Sequence, residues 1–464
     1  MPEYLQNLNY ATYLVGKWHL GFNTNRSLPN SRGFDYHFGY YTGFKDYYDH
    51  GTQEGDKWGF DLRENHIRQA ESYYGKYTTR LFTEKVIDII NCHSNQTVPS
   101  KPFFVALTHL AVHVANDFNP FQAPADEIAK FRHLKDERRR VYAAMLSELD
   151  NSVGQIVSQL SANNQLENTV IIFTNDNGAA NGYFTDENYG VGSNMPLRGA
   201  KYTLWEGGVR GIGIIYSPLI SKPSTTYNGL ASIQDLFATV YSIAGGNSSS
   251  LPSKGIDSID LWSIINNANG NQNCSEDQCN TSKCHDSGRK ELLHNIDPVW
   301  NTSAIRYGDF KLITGTVFDG KFDGWQPPPG YQEDFFRSPN NESANTGEMD
   351  VIMIDSNDRN ATISTETTSL KFPINVTERN ILIDCDAAKN IKNECEPTAQ
   401  PCLFNVRNDP CEYHNIADGN PNMVKFLLYR IRHYNETAVP VLNKPIDESA
   451  DPIKHGYYWD TWQD

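Results

Sequence analysis

The sequence predicts an α/β protein followed by a smaller α+β domain, and two observations in its 464 residues carry this prediction. An apolar run, an amphipathic helix and a β-branched run follow one another between residues 101 and 174. Strand, helix and strand in that order imply a right-handed parallel crossover. The composition of the chain then changes after about residue 265, where polar, loop-like sequence replaces the apolar runs.

Taken in order, the N-terminal elements begin with an amphipathic helix leading into a strand across MPEYLQNLNYATYLVG. KPFFVALTH (101–109) and TVIIFT (169–174) predict buried strands. Between them, ERRRVYAAMLSELDNSVGQIVSQL places apolar residues three or four apart, which predicts a helix. A strand in VRGIGIIYSP and a helix in IQDLFATVYSIAG extend the same layer.

This change in composition predicts a division of the chain into an α/β domain over 1–270, a polar linker over 271–287, and a small domain over 288–464. Strand candidates in the last part are ELLHNI, SAIRYGDFKLITG and DVIMID, and NMVKFLLYRIRHYNE predicts a late helix. We therefore expect a smaller α+β domain that packs on the first.

Charge and hydropathy exclude two classes of partner. A net charge of −16 argues against sequence-independent binding of nucleic acid, because phosphates require a basic surface. No apolar run approaches the ~20 residues of a transmembrane helix. A small anionic substrate remains compatible with the composition, since a local cationic pocket can exist inside an acidic protein.

Glycosylation signals and cysteines indicate the secretory route, although the first residues do not form a signal peptide. The Asn-x-Ser/Thr sites are Asn25, Asn95, Asn247, Asn273, Asn280, Asn301, Asn341, Asn360, Asn375 and Asn435. Eight cysteines, an even number, are typical of disulfides, and Cys402–Cys411 is a plausible local bridge. Zinc is the rival interpretation for the loop with Cys274, Cys279 and Cys284, and the spacing disfavours it.

Two sites follow the predicted strands 101–109 and 169–174, where ligands of α/β sheets gather. THLAVHVAND places His109 and His113 after the first strand. TNDNG places Asp176 and Asn177 after the second, and their oxygen atoms suit Ca²⁺ or Mg²⁺. Taken alone, a histidine at such a position is more often structural than catalytic, and Asp-Asn-Gly is also an ordinary turn.

Cationic side chains occur in two further segments. GKWHLG carries Lys17 and His19, which would share one face of an extended strand. PLRGAKYTLWEGGVRG carries Arg198, Lys201 and Arg210 among glycines and could hold an oxyanion, or form a basic surface loop. Together, cations, a hard-metal pair and a histidine suit stabilisation of a charged oxyanion and protonation of a leaving group.

These segments resemble the sulfatases, most closely the arylsulfatase B (N-acetylgalactosamine-4-sulfatase) branch. YATYLVGKWHLGF is similar to a sulfatase signature, and RGFDYHFGYYTG, TNDNG, PLRGAKYTLWEGGVRG, ELLHNIDP and IRYGDFKLITG match the branch in order. The resemblance implies an alkaline-phosphatase-like mixed sheet flanked by helices, with a small C-terminal domain. It also implies a lysosomal or extracellular sulfuric ester hydrolase that acts on aryl or glycosaminoglycan sulfates.

The resemblance further assigns roles to residues of this chain. It implies one bound Ca²⁺, with Asp176 and Asn177 as ligands. Lys17 and Lys201 would hold the sulfate oxygens, and His113 would contact the sulfate and assist departure of the alcohol. His19 would orient the nucleophile, which in the family is a formylglycine made from the cysteine of a C-x-P-S-R motif.

The chain departs from the family at that nucleophile, because none of its eight cysteines is followed by x-P-S-R or x-A-S-R. The family's nucleophile and an Asp-Asp metal pair precede GKWHLG, which here begins at Gly16. We therefore expect a sulfatase that lacks its N-terminal part and the first strand of its sheet, and that does not hydrolyse aryl sulfates. A non-catalytic protein that binds sulfated glycans, and a phosphatase or phosphodiesterase of the same superfamily, are the alternatives.

Overall fold

A computed structural model describes residues 1–94, 101–183, 189–252, 255–267, 288–327, 383, 385 and 395–463. The described helices are α1 (Pro2–Asn7), α2 (Thr78–Cys92), α3 (Ala125–Ile128), α4 (Glu137–Ala162), α5 (Glu206–Val209), α6 (Leu236–Ile243), α7 (Trp262–Asn267) and α8 (Pro421–Asn435). The described strands are β1 (Ala11–Lys17), β2 (Tyr36–Tyr40), β3 (Gly51–Glu54), β4 (Lys57–Phe60), β5 (Arg63–Glu64), β6 (Ile67–Arg68), β7 (Phe103–Thr108), β8 (Ile171–Thr174), β9 (Asn181–Tyr183), β10 (Tyr189–Val191), β11 (Gly213–Tyr216), β12 (Glu291–Asp297), β13 (Thr302–Tyr307), β14 (Phe310–Thr314) and β15 (Cys402–Asn405). The predicted helix from Glu137 is confirmed.

A mixed sheet in the order β6-β5-β2-β1-β7 forms the centre of the N-terminal part. Strand β1 runs parallel to β2 and β7, whereas β5 pairs antiparallel with β2. Gly16 lies where β1 and β7 approach closely, because a Cβ there would lie 2.0 Å from the Thr108 carbonyl oxygen. Helices α2 and α4 pack together, and their buried side chains join those of β1 and β2 in one core. The predicted α/β class with helices against a mixed sheet is confirmed.

Strand β8 does not continue that sheet within the described part of the chain. It pairs antiparallel with β11 in a separate two-stranded sheet, and β7 pairs with β1. Among the described residues, the two strands of the predicted parallel crossover, 101–109 and 169–174, therefore do not pair with each other. The two strands and the helix between them were placed correctly, but apolar content and order along the chain do not decide which strands become neighbours.

The C-terminal part is built on an antiparallel sheet in the order β12-β13-β14-β15. Helix α8 covers one face, where Leu427 packs against Ile305 and Leu312. The other face packs against Trp205 from the N-terminal part. The strand candidate DVIMID and the linker 271–287 lie outside the described residues.

The last residues of the chain return to the N-terminal part, which departs from the expected domain over 288–464. Phe60 donates its N–H to the Tyr457 carbonyl at 2.7 Å, and Trp459 donates to the Phe60 carbonyl at 3.1 Å. Arg63 also donates to the Trp459 carbonyl. Burial of Tyr458 and Trp459 holds the segment there, and no local pattern in the sequence indicated it.

The described disulfides are Cys385–Cys411 and Cys395–Cys402, so the predicted Cys402–Cys411 bridge is wrong. Cys402 begins β15 and lies in the cluster around Trp205, against which Cys395 also packs. That shared cluster selects the partner, whereas sequence proximity to Cys411 does not. Among the described cysteines, Cys92 is free and exposed. Cys274, Cys279 and Cys284 lie outside the described residues.

The sequon asparagines within the described ranges are all exposed: Asn25, Asn247, Asn301 and Asn435. The other six lie outside those ranges. No helix in the described part of the chain is both long and apolar enough to cross a membrane.

Candidate active site

Lys17 is the last residue of β1 and lies at the carboxyl end of a parallel strand. Its carbonyl accepts a hydrogen bond from Thr108 Oγ1 at 2.7 Å, which ties it to the end of β7. The next two residues stay attached to the other neighbour, since Trp18 and His19 donate to the Tyr40 and Tyr41 carbonyls. The half-buried Lys17 is thus fixed where three strands end.

His19 reaches the site in a different way from the one predicted. The strand ends at Lys17 and His19 has a left-handed φ of 51°, so the alternation of an extended strand does not apply to it. Its ring lies against Gly43, where a Cβ would be 2.8 Å from His19 Nε2. Burial lowers the pKa of His19, and the charges of Lys17 and Lys201 lower it further. The charge of Lys17 still acts on the imidazole, but the prediction that the two residues share one face of a strand is wrong.

The turn with Asp176 and Asn177 follows β8 and is held by its own side chains. Asn175 Nδ2 donates to the Asn177 carbonyl at 2.6 Å, and Asn175 Oδ1 accepts from Ile212 N at 2.6 Å. Gly178 N donates to the Gly208 carbonyl, and a Cβ on Gly178 would lie 1.7 Å from the Gly207 carbonyl oxygen. Asn175 is a positioning residue that sequence reasoning missed, although it lies within the TNDNG motif.

The glycine-rich loop brings Lys201 to this turn. Lys201 N donates to the Ala179 carbonyl at 3.0 Å, and Gly207 N donates to the Arg198 carbonyl at 2.6 Å. Side chains on Gly207 or Gly208 would collide with backbone carbonyls of the same loop. The glycines therefore allow the loop to fold tightly enough to place Lys201 beside Asp176.

Three other candidate residues have structural partners elsewhere. Arg198 lies over the Trp205 ring at 3.6 Å and donates to the Asp323 carbonyl. Arg210 pairs with Glu206 at 3.9 Å, and His109 Nε2 meets Ser152 Oγ at 3.0 Å. Of the cations in the glycine-rich loop, Lys201 is the one that the structure places with His113.

His113 has a defined tautomer. Its Nδ1 lies 2.8 Å from the Val114 carbonyl, and because a carbonyl only accepts, Nδ1 carries the proton. The lone pair on Nε2 then accepts from Lys201 Nζ at 3.1 Å. Burial and the charge of Lys201 lower the pKa of His113 to about 4. At neutral pH the site therefore contains a neutral imidazole, stacked on Phe44 with ring centroids 6.0 Å apart.

The charges of the cluster favour an anion. Burial lowers the pKa of both Lys17 and Lys201, and the Asp176 carboxylate opposes the shift in each case. Lys201 also lowers the pKa of Lys17, so the two ammonium groups repel each other. An anion placed between them would relieve that repulsion.

Asp176 and Asn177 do not form a complete calcium site. Calcium takes six to eight oxygen ligands, and this pair supplies a carboxylate and a carboxamide. Within the described residues, no group of three or more His, Cys, Asp or Glu side chains could hold a metal. Asn177 also uses its Nδ2 to donate to the Gly178 carbonyl at 2.8 Å. The donor chemistry suits a hard cation, but the set is too small to hold one by itself.

Comparison with protein families and curated proteins gives one family. The profile described as Sulfatase matches residues 1–246. Arylsulfatase J of Mus musculus is 31% identical over 481 residues, which cover 100% of this chain and 66% of that protein. N-acetylgalactosamine-6-sulfatase of Canis lupus familiaris is 30% identical over 259 residues, covering 53% of this chain and 44% of that protein. The chain thus spans 66% or less of the length of these relatives.

Solved structures show the same fold at lower identity. Ps i-CgsB in complex with k-i-k-neocarrahexaose has a TM-score of 0.60 and 21% identity, covering 93% of this chain and 73% of that chain. The PsFucS1 sulfatase from Pseudoalteromonas sp. has a TM-score of 0.56 and 21% identity, with coverages of 95% and 74%. The predicted alkaline-phosphatase-like fold of sulfatases is confirmed.

Proposed function

Because the chain belongs to the sulfatase family, we propose that the protein binds sulfate esters and that Lys17, His113 and Lys201 hold the sulfate group. The contact between Lys201 Nζ and His113 Nε2 carries the proposal, since it joins the glycine-rich loop to the segment after β7. A half-buried lysine at the end of β1 completes the set. Two ammonium groups in a partly desolvated site suit a sulfate monoester.

As the sulfatase resemblance implies, His113 would protonate the departing alcohol wherever a nucleophile is supplied. In the free site its Nε2 holds a lone pair, and the Lys201 charge keeps the pKa low. A bound sulfate takes up the hydrogen bonds of Lys201 and adds negative charge, so the pKa of His113 rises and Nε2 gains a proton. Proton and leaving group then face each other, which is what a general acid requires.

No residue of this chain fits the family's nucleophile. The cysteines described are the exposed Cys92 and four in disulfides, and none of the eight precedes x-P-S-R or x-A-S-R. The 464-residue chain is proposed to bind sulfate groups without turning sulfate esters over.

The same observation favours a second function, a non-catalytic protein that binds sulfated glycans. Such a protein would use the cation cluster and would need no nucleophile. A protein that binds glycans without catalysis would hold sulfated glycosaminoglycan by this cluster in a salt-sensitive way. A phosphatase or phosphodiesterase would instead favour phosphate over sulfate at the same groups.

Two finer features belong to the proposal. Asp176 and Asn177 would supply two ligands of a Ca²⁺ site, as the sulfatase resemblance implies. The exposed sequons and the described disulfides support a lysosomal or extracellular location. The narrower likeness to arylsulfatase B stays a prediction.

Equilibrium binding of inorganic sulfate to the 464-residue chain tests the proposal. We expect Lys201→Ala to weaken binding at least tenfold, whereas Lys290→Ala, which removes an exposed lysine, leaves it unchanged. Because binding adds a proton to His113, affinity should rise roughly three- to tenfold from pH 7.5 to pH 5.5. Equal affinity in the two variants would contradict the assignment, and tighter binding of inorganic phosphate than of sulfate would favour the phosphatase.

A further inference from the structure

A cavity of about 230 Å³ opens beside His19, and the proposed sulfate chemistry does not use it. Its volume is below the ~300–1,000 Å³ of pockets that take drug-sized ligands, so it suits a single ring. The lining includes a histidine, three aromatic side chains, a carboxylate and a glycine: His19, Phe22, Tyr41, Trp459, Glu54 and Gly43.

Aromatic side chains from distant parts of the chain meet in its walls. Phe22 stacks on Tyr41 with ring centroids 5.8 Å apart and 28° between the planes. Trp459 comes from the returning C-terminal segment, and its Nε1 donates to the Thr52 carbonyl at 3.0 Å. The indole is therefore fixed in position before any ligand binds. Rigid aromatic walls of this kind suit the apolar face of a sugar ring.

Glu54 gives the cavity its polar character. It is the last residue of β3 and is exposed, and its carboxylate has no ion pair or side-chain hydrogen bond within the described residues. A free carboxylate accepts hydrogen bonds from hydroxyl groups. It also repels a second anionic group on the ligand, such as another sulfate or a carboxylate.

The cavity adjoins the cation cluster through one short segment. His19 lines the cavity, and its imidazole rests on Gly43, which lines it too. The next residue, Phe44, stacks on His113. His19 also connects the two, because the charges of Lys17 and Lys201 act on its imidazole.

We propose that the cavity is the subsite for the sugar ring of a monosulfated saccharide, and that Glu54 excludes rings with a second anionic group. Phe22 and Trp459 supply the stacking surface. The inference rests on the proposed function, because it requires the sulfate to bind at Lys17 and Lys201.

The test compares affinities of the full chain for inorganic sulfate, galactose 6-sulfate and galactose 4,6-disulfate, measured by calorimetry and by ligand-induced shifts of the unfolding temperature. We expect the monosulfated sugar to bind at least tenfold more tightly than inorganic sulfate and than the disulfate. Glu54→Gln should reduce the preference over the disulfate to less than threefold. Asp56→Asn removes a neighbouring exposed carboxylate outside the cavity and should leave the preference intact.

Phe22→Leu keeps apolar volume but removes the stacking ring. It should reduce the ratio of the affinity for galactose 6-sulfate to the affinity for inorganic sulfate at least threefold. If galactose 6-sulfate binds no better than inorganic sulfate, or if Glu54→Gln leaves the preference unchanged, the subsite assignment is overturned while the sulfate site stands. If inorganic sulfate itself fails to bind, the proposed function is overturned first.

Discussion

Two sets of equally apolar strands reach different degrees of burial in this molecule. In the C-terminal sheet, Ile305 of β13, Leu312 of β14 and Leu403 of β15 are all fully buried. In the N-terminal part, β7 and β8 are only half-buried, and Ile214 of the neighbouring β11 is 55% exposed. Apolar sequence is similar in both places, so composition does not set the difference.

The degree of burial of a strand depends instead on its neighbouring strands and on what covers its faces. Strands β13 and β14 are paired on both sides and covered on both faces by α8 and Trp205. Among the described residues, β7 pairs only with β1, and β8 only with β11. Unpaired edges of apolar strands are aggregation-prone.

The largest expected effect comes from the junction that joins the two parts. Lys311 Nζ lies 2.9 Å from both Glu206 and Glu412, and all three side chains are buried. Lys311→Met leaves the Glu206 carboxylate and the Glu412 carboxyl group without their cation, which should cost about 3–5 kcal/mol of unfolding free energy. Urea unfolding at pH 7 measures this, with the exposed Lys425→Met as the matched control. A loss no larger than that of the control would mean that the ion cluster does not hold the junction.

A paired substitution tests the comparison itself. Ile305→Ala empties space in a closed core and should cost about 2–5 kcal/mol. Ile214→Ala removes an exposed side chain and should cost less than about 1 kcal/mol. Chemical denaturation of both variants gives the two values. Equal losses would show that β11 is as well covered as β13.

Acid should loosen the N-terminal part before the C-terminal part. Burial lowers the pKa of four histidines in the N-terminal part, with values of about 3, 2, 4 and 4: His37, His50, His109 and His113. An unfolded chain binds more protons at these histidines than the folded one below pH 6.5, so stability falls as pH drops. Each contributes a slope of about 1.4 kcal/mol per pH unit within its window.

The C-terminal part contains one opposing pair. Burial lowers the pKa of His294 to about 3 but raises that of Glu412 to about 7. Between pH 4.5 and 7 the folded state binds the extra proton at Glu412, so the contribution of Glu412 to the unfolding free energy rises as pH falls. Hydrogen exchange at pH 5.5 and 7.5, corrected for intrinsic rates, should show loss of protection in β1 and β7 and little change in β13 and β14. An equal loss of protection in all four strands would contradict the expected difference between the N-terminal and C-terminal parts.

Much of this architecture could be predicted locally, and the failures share a cause. The periodicity of α4 and the apolar runs of β7 and β8 identified those elements, and motif residues Lys17, His113 and Lys201 do converge. Which strand pairs with β8, and which cysteine pairs with Cys402, depend on contacts that no local pattern encodes. The Phe22–Trp459 cavity joins residues more than 400 positions apart, so only the folded chain reveals it.

Calcium should have the smallest effect. With two donors from Asp176 and Asn177, binding at 1 mM Ca²⁺ should stabilise the chain by less than about 0.4 kcal/mol. Thermal unfolding with calcium and with a chelator provides the measurement. A shift of several degrees, lost in Asp176→Ala, would show that the chain completes a calcium site.

Turnover of 4-nitrocatechol sulfate by the purified 464-residue chain, measured alongside sulfate binding, tests the central claim most directly. We expect sulfate to bind and Lys201→Ala to weaken binding at least tenfold, while hydrolysis by the unsubstituted chain stays at the buffer rate. Hydrolysis above that rate, removed by Lys201→Ala, would contradict it, because the chain would then hold a nucleophile outside the family's motif.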